Sequence, residues 1–347
     1  MEILENVSFD EKDWHPRSGQ QILDLVHPSL FCYVFGQTLK SSRMFDPTSC
    51  SSPAEQMHQL MFNGSDIVEG PDGSDIAFQW IPTDLTVTQG GDDNGFKVRC
   101  LSYINSLHPE QHKDMYKSIE DIFAKFVSLL PDVINLPQKS KVSLRGKTLQ
   151  AIVKVADIIF TPENPWYRGG EWHIEGTPAE NINITASRLA LRAEIEEPFY
   201  QQNDDSGVAG TFGLFHGDRL IQEFGLVQAM TSRCVVFPNS LQHRVEPFEL
   251  EYHIRPGRRK ILAFFLVDFN KPIPSTSVNS PQHQAWRECG FELMIEKCRL
   301  VDVGEQNIRV VLLRGMSLAQ AKKHCLDLME ERTAEGAMMR KVMNIRH

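Results

Sequence analysis

The spacing of apolar residues changes from a helical period to a strand period along the chain. Between residues 106 and 130, apolar residues recur every three or four positions, which predicts an amphipathic helix on the outside of a sheet. Between residues 149 and 160 the period is two, which predicts a strand. Further strands are predicted at Phe96–Tyr103, Phe212–Phe215, Arg233–Phe237, Arg258–Val267 and Ile308–Leu313.

These elements predict a mainly β protein with flanking α-helices. We expect one domain over residues 1–347, with a helical or irregular part at 1–143, a core at 144–270, and a C-terminal strand and helices at 271–347. The core suits a double-stranded β-helix, the jelly roll of cupin-like proteins, whose mouth gathers ligands. Residues 41–76 are rich in Ser, Gly, Asp and Pro and predict a long surface loop. Ser317 and Gln320 have the spacing of a helix capping box.

Composition and charge narrow the function classes. The net charge is −9 and no long basic run occurs, so nucleic acid and anionic membranes are not expected partners. The longest apolar run, Ile261–Val267, is too short to span a bilayer, and the acidic start lacks an apolar signal core. Seven scattered cysteines without a CxxC pair favour a reducing compartment, and we expect the cytoplasm. The sequence leaves the oligomeric state open.

One short stretch, Glu171–Gly176, carries the candidate chemistry. His173 and Glu175 are two residues apart, so on a strand both side chains would point to one face. A later histidine, His243, would complete a 2-His-1-carboxylate triad, which binds non-haem Fe(II) and leaves one face open. Two alternatives stay open. His216 and Asp218 form an HxD pair, and His253 could replace His243.

A second signal follows His243 by sixteen residues. Arg259 opens an apolar strand, where a guanidinium needs an anionic partner or a route to solvent. The distal carboxylate of 2-oxoglutarate would serve, bound by two parallel hydrogen bonds. Arg258 and Lys260 would then point outward.

The chain also resembles a fungal domain-of-unknown-function family classed with the Fe(II)/2-oxoglutarate-dependent oxygenases. The matching stretches are HPSLF (27–31), FQWIPTD (78–84), LSYINSLHPEQHKDMY (101–116), LRGKTLQAIVKVADIIFTPENPWYRGGEWHIEG (144–176), ITASRLALR (184–192), FPNSLQHRVEPFEL (237–250), PGRRKILAFFLVDFN (256–270) and MSLAQAKKHCLDLMEERT (316–333). The resemblance implies a jelly roll with iron at His173, Glu175 and His243. The last strand also looks like that of prolyl hydroxylases, which implies 2-oxoglutarate at Arg259.

The chain departs from these relatives at two places. The connection Gly176–Asn183 is shorter than the family's, which has a tyrosine-rich strand there. Prolyl hydroxylases carry a hydroxyl four residues after the arginine, whereas this chain has Ala263.

Three protein ligands would leave iron positions for 2-oxoglutarate and O₂, which predicts hydroxylation, desaturation or ring closure of a substrate. We expect a small molecule, plausibly an amino acid or derivative in fungal specialised metabolism. Arg188 and Arg192 could bind its carboxylate, although pairing with Glu194, Glu196 or Glu197 is an equal alternative. Trp172, Tyr167 and Phe237 flank the site and either contact substrate or pack in the core. The alternative functions are a protein side-chain hydroxylase and a non-catalytic jelly-roll binding protein.

Overall fold

The computed structural model describes residues 12–16, 18–41, 51–61, 64–67, 76–90, 95–134, 143–186, 190–194, 205–212, 215, 221–227, 233–289 and 315–340. The strands are β1 (Asp13–Trp14), β2 (Ile22–Val26), β3 (Tyr33–Val34), β4 (Leu39–Ser41), β5 (Gly64–Ile67), β6 (Phe78–Gln79), β7 (Thr83–Gln89), β8 (Phe96–Cys100), β9 (Thr148–Phe160), β10 (Trp166–Tyr167), β11 (Ile182–Ala186), β12 (Ala190–Glu194), β13 (Ile221–Leu226), β14 (Phe237–Pro238), β15 (Gln242–Arg244), β16 (Phe248–Glu249) and β17 (Gly257–Val267). The helices are α1 (Pro53–Met61), α2 (Lys113–Val127), α3 (Leu130–Ile134), α4 (Asp205–Phe212) and α5 (Leu318–Arg340).

The fold is mainly β with a few helices, and its sheets are antiparallel. The largest sheet has the order β1-β2-β9-β17-β11-β14, and β7 joins the same edge of β9 as β2 and carries β8. The long strands β9 and β17 pair over ten positions, from Gly257 opposite Phe160 to Leu266 opposite Ala151. Both were predicted from their apolar spacing, and the structure confirms them.

Alternating side chains of β17 fill two separate apolar layers. Phe264 faces α2 and contacts the rings of Phe123 and Phe126, with centroids 5.0 and 5.6 Å apart. Its neighbour Phe265 faces the opposite way and stacks on Trp80 at 5.3 Å. The period of two therefore places one set of residues under the helix and the other set on the face that includes Arg259.

Smaller sheets carry the candidate site. β12 lies between β13 and β15, and β15 contains His243. β10 pairs with β16, so Tyr167 lies opposite Phe248. Two further strand pairs, β3 with β6 and β4 with β5, come from the N-terminal part of the chain.

Several element predictions were wrong at particular places. The first long helix begins at Lys113, because residues 108–112 form turns before it. The predicted loop at 41–76 contains α1 and β5, and the part at 1–143 supplies β1, β2, β7 and β8 to the main sheet. Phe212 ends a helix rather than beginning a strand, and of Arg233–Phe237 only Phe237 lies in a strand. Residues 308–313 lie outside the described part.

The C-terminal helix α5 begins at the predicted capping box. Ser317 N donates to Gln320 Oε1 at 2.9 Å, and Gln320 N donates back to Ser317 Oγ at 3.3 Å. Ala321, Cys325 and Leu328 recur at helical spacing and are buried. Among the described helices, none combines the length and the apolar character that crossing a bilayer requires.

Candidate metal centre

Two distant segments of the chain meet in an antiparallel run that positions the candidate ligands. After the β10–β16 pair, Gly170 N donates to Val245 O at 2.9 Å. Three residues later His173 and His243 exchange backbone hydrogen bonds of 3.1 and 2.9 Å. The predicted strand at Glu171–Gly176 is thus reduced to an isolated bridge at His173, yet this bridge fixes the two histidines opposite each other.

Gly169 permits this close approach of the two segments. Its φ is +88°, a left-handed conformation that favours glycine. An added Cβ would lie 2.9 Å from the carbonyl oxygen of Val245. A larger residue here would push apart the segments that carry His173 and His243.

The three predicted ligands converge on one point. Glu175 Oε1 lies 3.6 Å from His173 Nε2 and 3.2 Å from His243 Nε2. One candidate ligand atom from each residue lies within 4.8 Å of the other two. The structure therefore brings together the histidines and carboxylate that the sequence singled out.

The protonation of the imidazoles fits a bound cation. His173 Nδ1 lies 2.7 Å from the carbonyl oxygen of Glu171, which can only accept, so Nδ1 carries the proton. Nε2 of His173, which faces the Glu175 carboxylate at 3.6 Å, is then the nitrogen available to a metal ion, and two imidazoles with one carboxylate suit Fe(II).

The electrostatics of the three groups are coupled. Burial alone would raise the pKa of Glu175, but hydrogen bonds from His173 and His243 hold it well below its ordinary value. Burial lowers the pKa of His243. Burial also acts to lower the pKa of His173, but the hydrogen bond and charge of Glu175 outweigh it and raise that pKa. Glu175 is therefore an anion, as a ligand must be.

Exposure differs sharply among the three side chains. His243 is 2% exposed and Glu175 15%, whereas His173 is 49% exposed. The cluster is closed behind His243 and open beside His173. Catalytic metal sites have this property, because substrate must reach the metal.

Asn239 holds the carboxylate ligand through its backbone. Glu175 N donates to Asn239 Oδ1 at 3.1 Å, and Asn239 Nδ2 donates to Glu175 O at 2.8 Å. Nδ2 also reaches the carbonyl of Ile182 at 3.2 Å. Asn239 precedes His243 by four residues, but the sequence alone does not show that its partner is Glu175, 64 residues away.

The short connection after Glu175 folds into a compact turn. Gly176 has φ +76°, and Pro178–Glu180 form a single 3₁₀ turn before β11. The buried Glu180 carboxylate accepts hydrogen bonds from Thr177 N and Oγ1 and from Trp80 N. Arg332 of α5 adds an ion pair of 2.8 Å. The connection that is shorter than in the resembling family therefore leads directly into a paired strand.

The phase of β17 agrees with the predicted direction of Arg259. Arg259 shares its face with Ala263 and Phe265, and its guanidinium lies 4.6 Å from the centroid of the Phe248 ring. Arg258 and Lys260 are exposed, as predicted. Arg258 nevertheless has a specific partner, since its Nε lies 3.1 Å from the fully buried carboxylate of Asp157.

Lys154 is a cation that the sequence analysis missed. It lies opposite Ala263 in the β9–β17 ladder and so shares the face of Arg259. Its charge also acts to lower the pKa of His173. Lys154 therefore faces the position where prolyl hydroxylases carry a hydroxyl. The sequence places Lys154 in a strand of alternating pattern, but it does not show which strand pairs with it.

The flanking residues form an arginine–tryptophan stack and an aromatic backing. Trp172 lies between the guanidinium groups of Arg192, at 4.2 Å, and Arg244, at 4.7 Å. Arg192 is buried and donates from Nε to Gln242 Oε1 at 2.6 Å. Buried Phe237 contacts the ring of His243 edge-on at 5.2 Å, so it packs behind a ligand.

Tyr167 lies further along the same run, and its ring contacts Phe248 at 5.2 Å. Burial raises its pKa, and the charge of Arg259 opposes that rise.

Of the two alternative ligands, His253 pairs with Glu249 at 3.1 Å in an exposed turn. His216 with Asp218 lies outside the described residues, as do Arg188, Glu196 and Glu197.

Comparisons with known proteins match one family model and several distantly similar solved structures. The family model described as "Protein of unknown function (DUF4246)" matches residues 1–145 and 131–289. The structure of IDO from Bacillus thuringiensis is 12% identical, with a TM-score of 0.25 over 61% of this chain and 80% of that one. The Fe(II)/α-ketoglutarate-dependent dioxygenase TqaL is 8% identical, with a TM-score of 0.25 over 68% and 82%. No curated protein matches the chain.

Proposed function

We propose that this chain, which belongs to the DUF4246 family, is an Fe(II)- and 2-oxoglutarate-dependent oxygenase that oxidises a small molecule. The observation that carries the proposal is the convergence of His173, Glu175 and His243 on one point with an open side. Bound Fe(II) would couple the oxidative decarboxylation of 2-oxoglutarate by O₂ to hydroxylation, desaturation or ring closure of the substrate. The protein holds the ligands, orients both substrates and excludes water.

The fold proposed for this activity is a jelly roll. The long sheet that contains β9 and β17 would form one wall, and the β13-β12-β15 sheet that contains His243 would form the other. Such a fold places ligands from different strands at one mouth. Antiparallel pairing throughout both sheets supports this assignment.

Arg259 is the proposed partner of the distal carboxylate of 2-oxoglutarate. Its guanidinium is fixed over the Phe248 ring, on the strand face opposite to that of Arg258. Lys154, opposite Ala263, is the proposed second cation for that carboxylate. A charge-assisted pair of this kind is worth about 1.5–3 kcal/mol.

Asn239 and Phe237 are proposed to keep the ligands in position. The two hydrogen bonds of Asn239 fix the backbone of Glu175, and the Phe237 ring fixes the imidazole of His243. Trp172 is proposed to shield its neighbour His173. Two stacked guanidinium groups hold the Trp172 ring in place. The side chains therefore pre-organise the site and limit access to its open side.

The substrate is proposed to be a small acid, such as an amino acid or derivative, that binds near Arg192. Arg192 lies on β12 beside His243 and stacks on Trp172, the neighbour of His173. Its register partner is Gln242, so its side chain lies on the face of β12 and β15 opposite to that of His243, and a substrate carboxylate bound there would extend to the iron site past Trp172. The cytoplasm is the proposed location, in keeping with the described cysteines, which are all free thiols.

The test is substrate-stimulated release of succinate from 2-oxoglutarate. The purified protein is supplied with Fe(II) and O₂ and screened against free amino acids and small acids. We expect stimulation by a small acid, its loss in His173→Ala, and a raised substrate requirement in Arg192→Ala. Arg244→Ala is the matched control, because it removes the other arginine on Trp172, whose own partner is Glu246.

Two results would redirect the proposal. Stimulation by a peptide but by no small acid would favour the protein side-chain hydroxylase. Absence of both iron binding and 2-oxoglutarate turnover would favour a non-catalytic binding protein.

A further inference from the structure

A second group of two imidazoles and one carboxylate lies at the hairpin of β1 and β2. Asp24 Oδ2 is 2.7 Å from His15 Nδ1 and 3.9 Å from His27 Nε2. One candidate ligand atom of each residue lies within 4.8 Å of the others. The side chain of Asp24 is fully buried, and that of His27 is 4% exposed. These residues are separate from His173, Glu175 and His243.

The cluster contains buried polar atoms whose hydrogen bonding is incomplete. Asp24 Oδ1 is buried and has no hydrogen-bond partner among the described residues. Asp13 Oδ2 is also buried without a hydrogen bond there, and it faces the other ring nitrogen of His27 at 3.7 Å. The charge of Lys154 acts on both carboxylates and that of Lys322 on Asp13, and a bound cation would add to these charges in the dry site.

We propose that His15, Asp24 and His27 bind a divalent metal ion, zinc by the chemistry of the ligands. His15 would contribute Nδ1, His27 would contribute Nε2, and Asp24 its carboxylate. Asp13 would accept from Nδ1 of His27 and so orient that ring, the arrangement in which a carboxylate supports a metal-bound histidine.

This site would fasten the C-terminal helix to the N-terminal hairpin. Cys325 of α5 places its Sγ 3.5 Å from Nδ1 of His27. One turn earlier in α5, Lys322 Nζ donates to the carbonyl of Lys12 at 3.2 Å. A metal that fixes His27 would therefore stabilise the surface on which α5 packs.

The test counts metal ions in the full-length protein. Metal is removed with a chelator, Zn(II) is added, unbound ion is removed by gel filtration, and zinc is measured by mass spectrometry. We expect two ions per chain in the unaltered protein, one in His173→Ala, one in His27→Gln and none in the double variant. His58→Gln is the matched control, since His58 pairs with Glu110 outside both clusters. If the unaltered protein binds one zinc ion and His27→Gln still binds it, the proposal is wrong.

A second measurement covers the case in which His27→Gln fails to fold. Co(II) is titrated into His173→Ala, where the first centre is disabled and the second cluster is intact. We expect visible d–d absorption that saturates at one equivalent and is lost when the isosteric change Asp24→Asn is added. Folded His173→Ala that binds no Co(II) would overturn the proposal. Because this readout uses neither iron nor 2-oxoglutarate, it stands apart from the proposed oxygenase activity.

Discussion

The cluster at His173 and the cluster at His15 contain the same ligand types but differ in their access to solvent. Each has two imidazoles and one carboxylate. His173 is 49% exposed, whereas the least buried member of the other cluster, His15, is 24% exposed and its carboxylate is fully buried. Structural metal sites are closed and catalytic sites keep an open position. Exposure, rather than ligand type, is therefore the basis for proposing catalysis at the first cluster and a structural role at the second.

The two clusters also differ in how the chain assembles them. His173 and His243 come from segments 70 residues apart that meet at one bridge. Asp24 and His15 lie in one hairpin, with β1 and β2 in register. The first site therefore depends on the tertiary pairing of β15, and the second depends on a local turn together with α5.

The largest expected effect separates the clusters by mutation. His243→Ala should reduce Fe(II) affinity and 2-oxoglutarate decarboxylation by more than about 100-fold, because it removes a ligand rather than an outer contact. His27→Gln should leave both quantities within about threefold if the clusters act independently. Iron retention and succinate release measure the two effects. Equal losses in both variants would contradict the separation.

The next largest effect concerns the face of β17 that carries Arg259. Arg259→Ala should raise the 2-oxoglutarate requirement about 10- to 150-fold, the equivalent of ~1.5–3 kcal/mol, and spare iron binding. Arg258→Ala is the matched change on the opposite face. It should instead lower the free energy of unfolding by about 1–3 kcal/mol, because it leaves the buried carboxylate of Asp157 without its 3.1 Å partner. A reversed pattern in co-substrate titration and chemical denaturation would show that the face is assigned wrongly.

A smaller effect is expected from the residue that supports Glu175. Asn239→Ala removes hydrogen bonds of 3.1 and 2.8 Å to the backbone of Glu175 and should weaken Fe(II) affinity about 10- to 100-fold. Asn270→Ala, at an exposed turn, should leave the affinity unchanged. Isothermal titration under anaerobic conditions measures both variants. An unchanged affinity in Asn239→Ala would mean that its hydrogen bonds to Glu175 have no part in holding the metal.

The smallest effect is expected from a substitution at Ala263, which lies opposite Lys154. Ala263→Ser restores the hydroxyl that prolyl hydroxylases carry four residues after the arginine, on the face that Lys154 shares. One added hydrogen bond of ~0.5–1 kcal/mol should lower the 2-oxoglutarate requirement about two- to fivefold. A raised requirement would place the carboxylate elsewhere on this face.

Strands β9 and β17 and the placing of His173 beside Glu175 were predictable because each depends on a short-range pattern. β9 and β17 followed from their apolar spacing, and His173 with Glu175 followed from their separation of two. Asn239 and Lys154 were not predictable, because their importance depends on partners brought near only by folding. The second cluster was missed for the same reason, since His15, Asp24 and His27 show no metal-ligand spacing. Phe212 was assigned to a strand from its apolar neighbours, but α4 ends there.

The most direct test of the central assignment is an anaerobic titration of Fe(II) and 2-oxoglutarate, followed by the metal-to-ligand charge-transfer band in the visible region. We expect a band that saturates at one iron per chain, is absent in His173→Ala, and persists in His27→Gln. A band that persists in His173→Ala but disappears in His27→Gln would contradict it and would move the iron to the closed cluster.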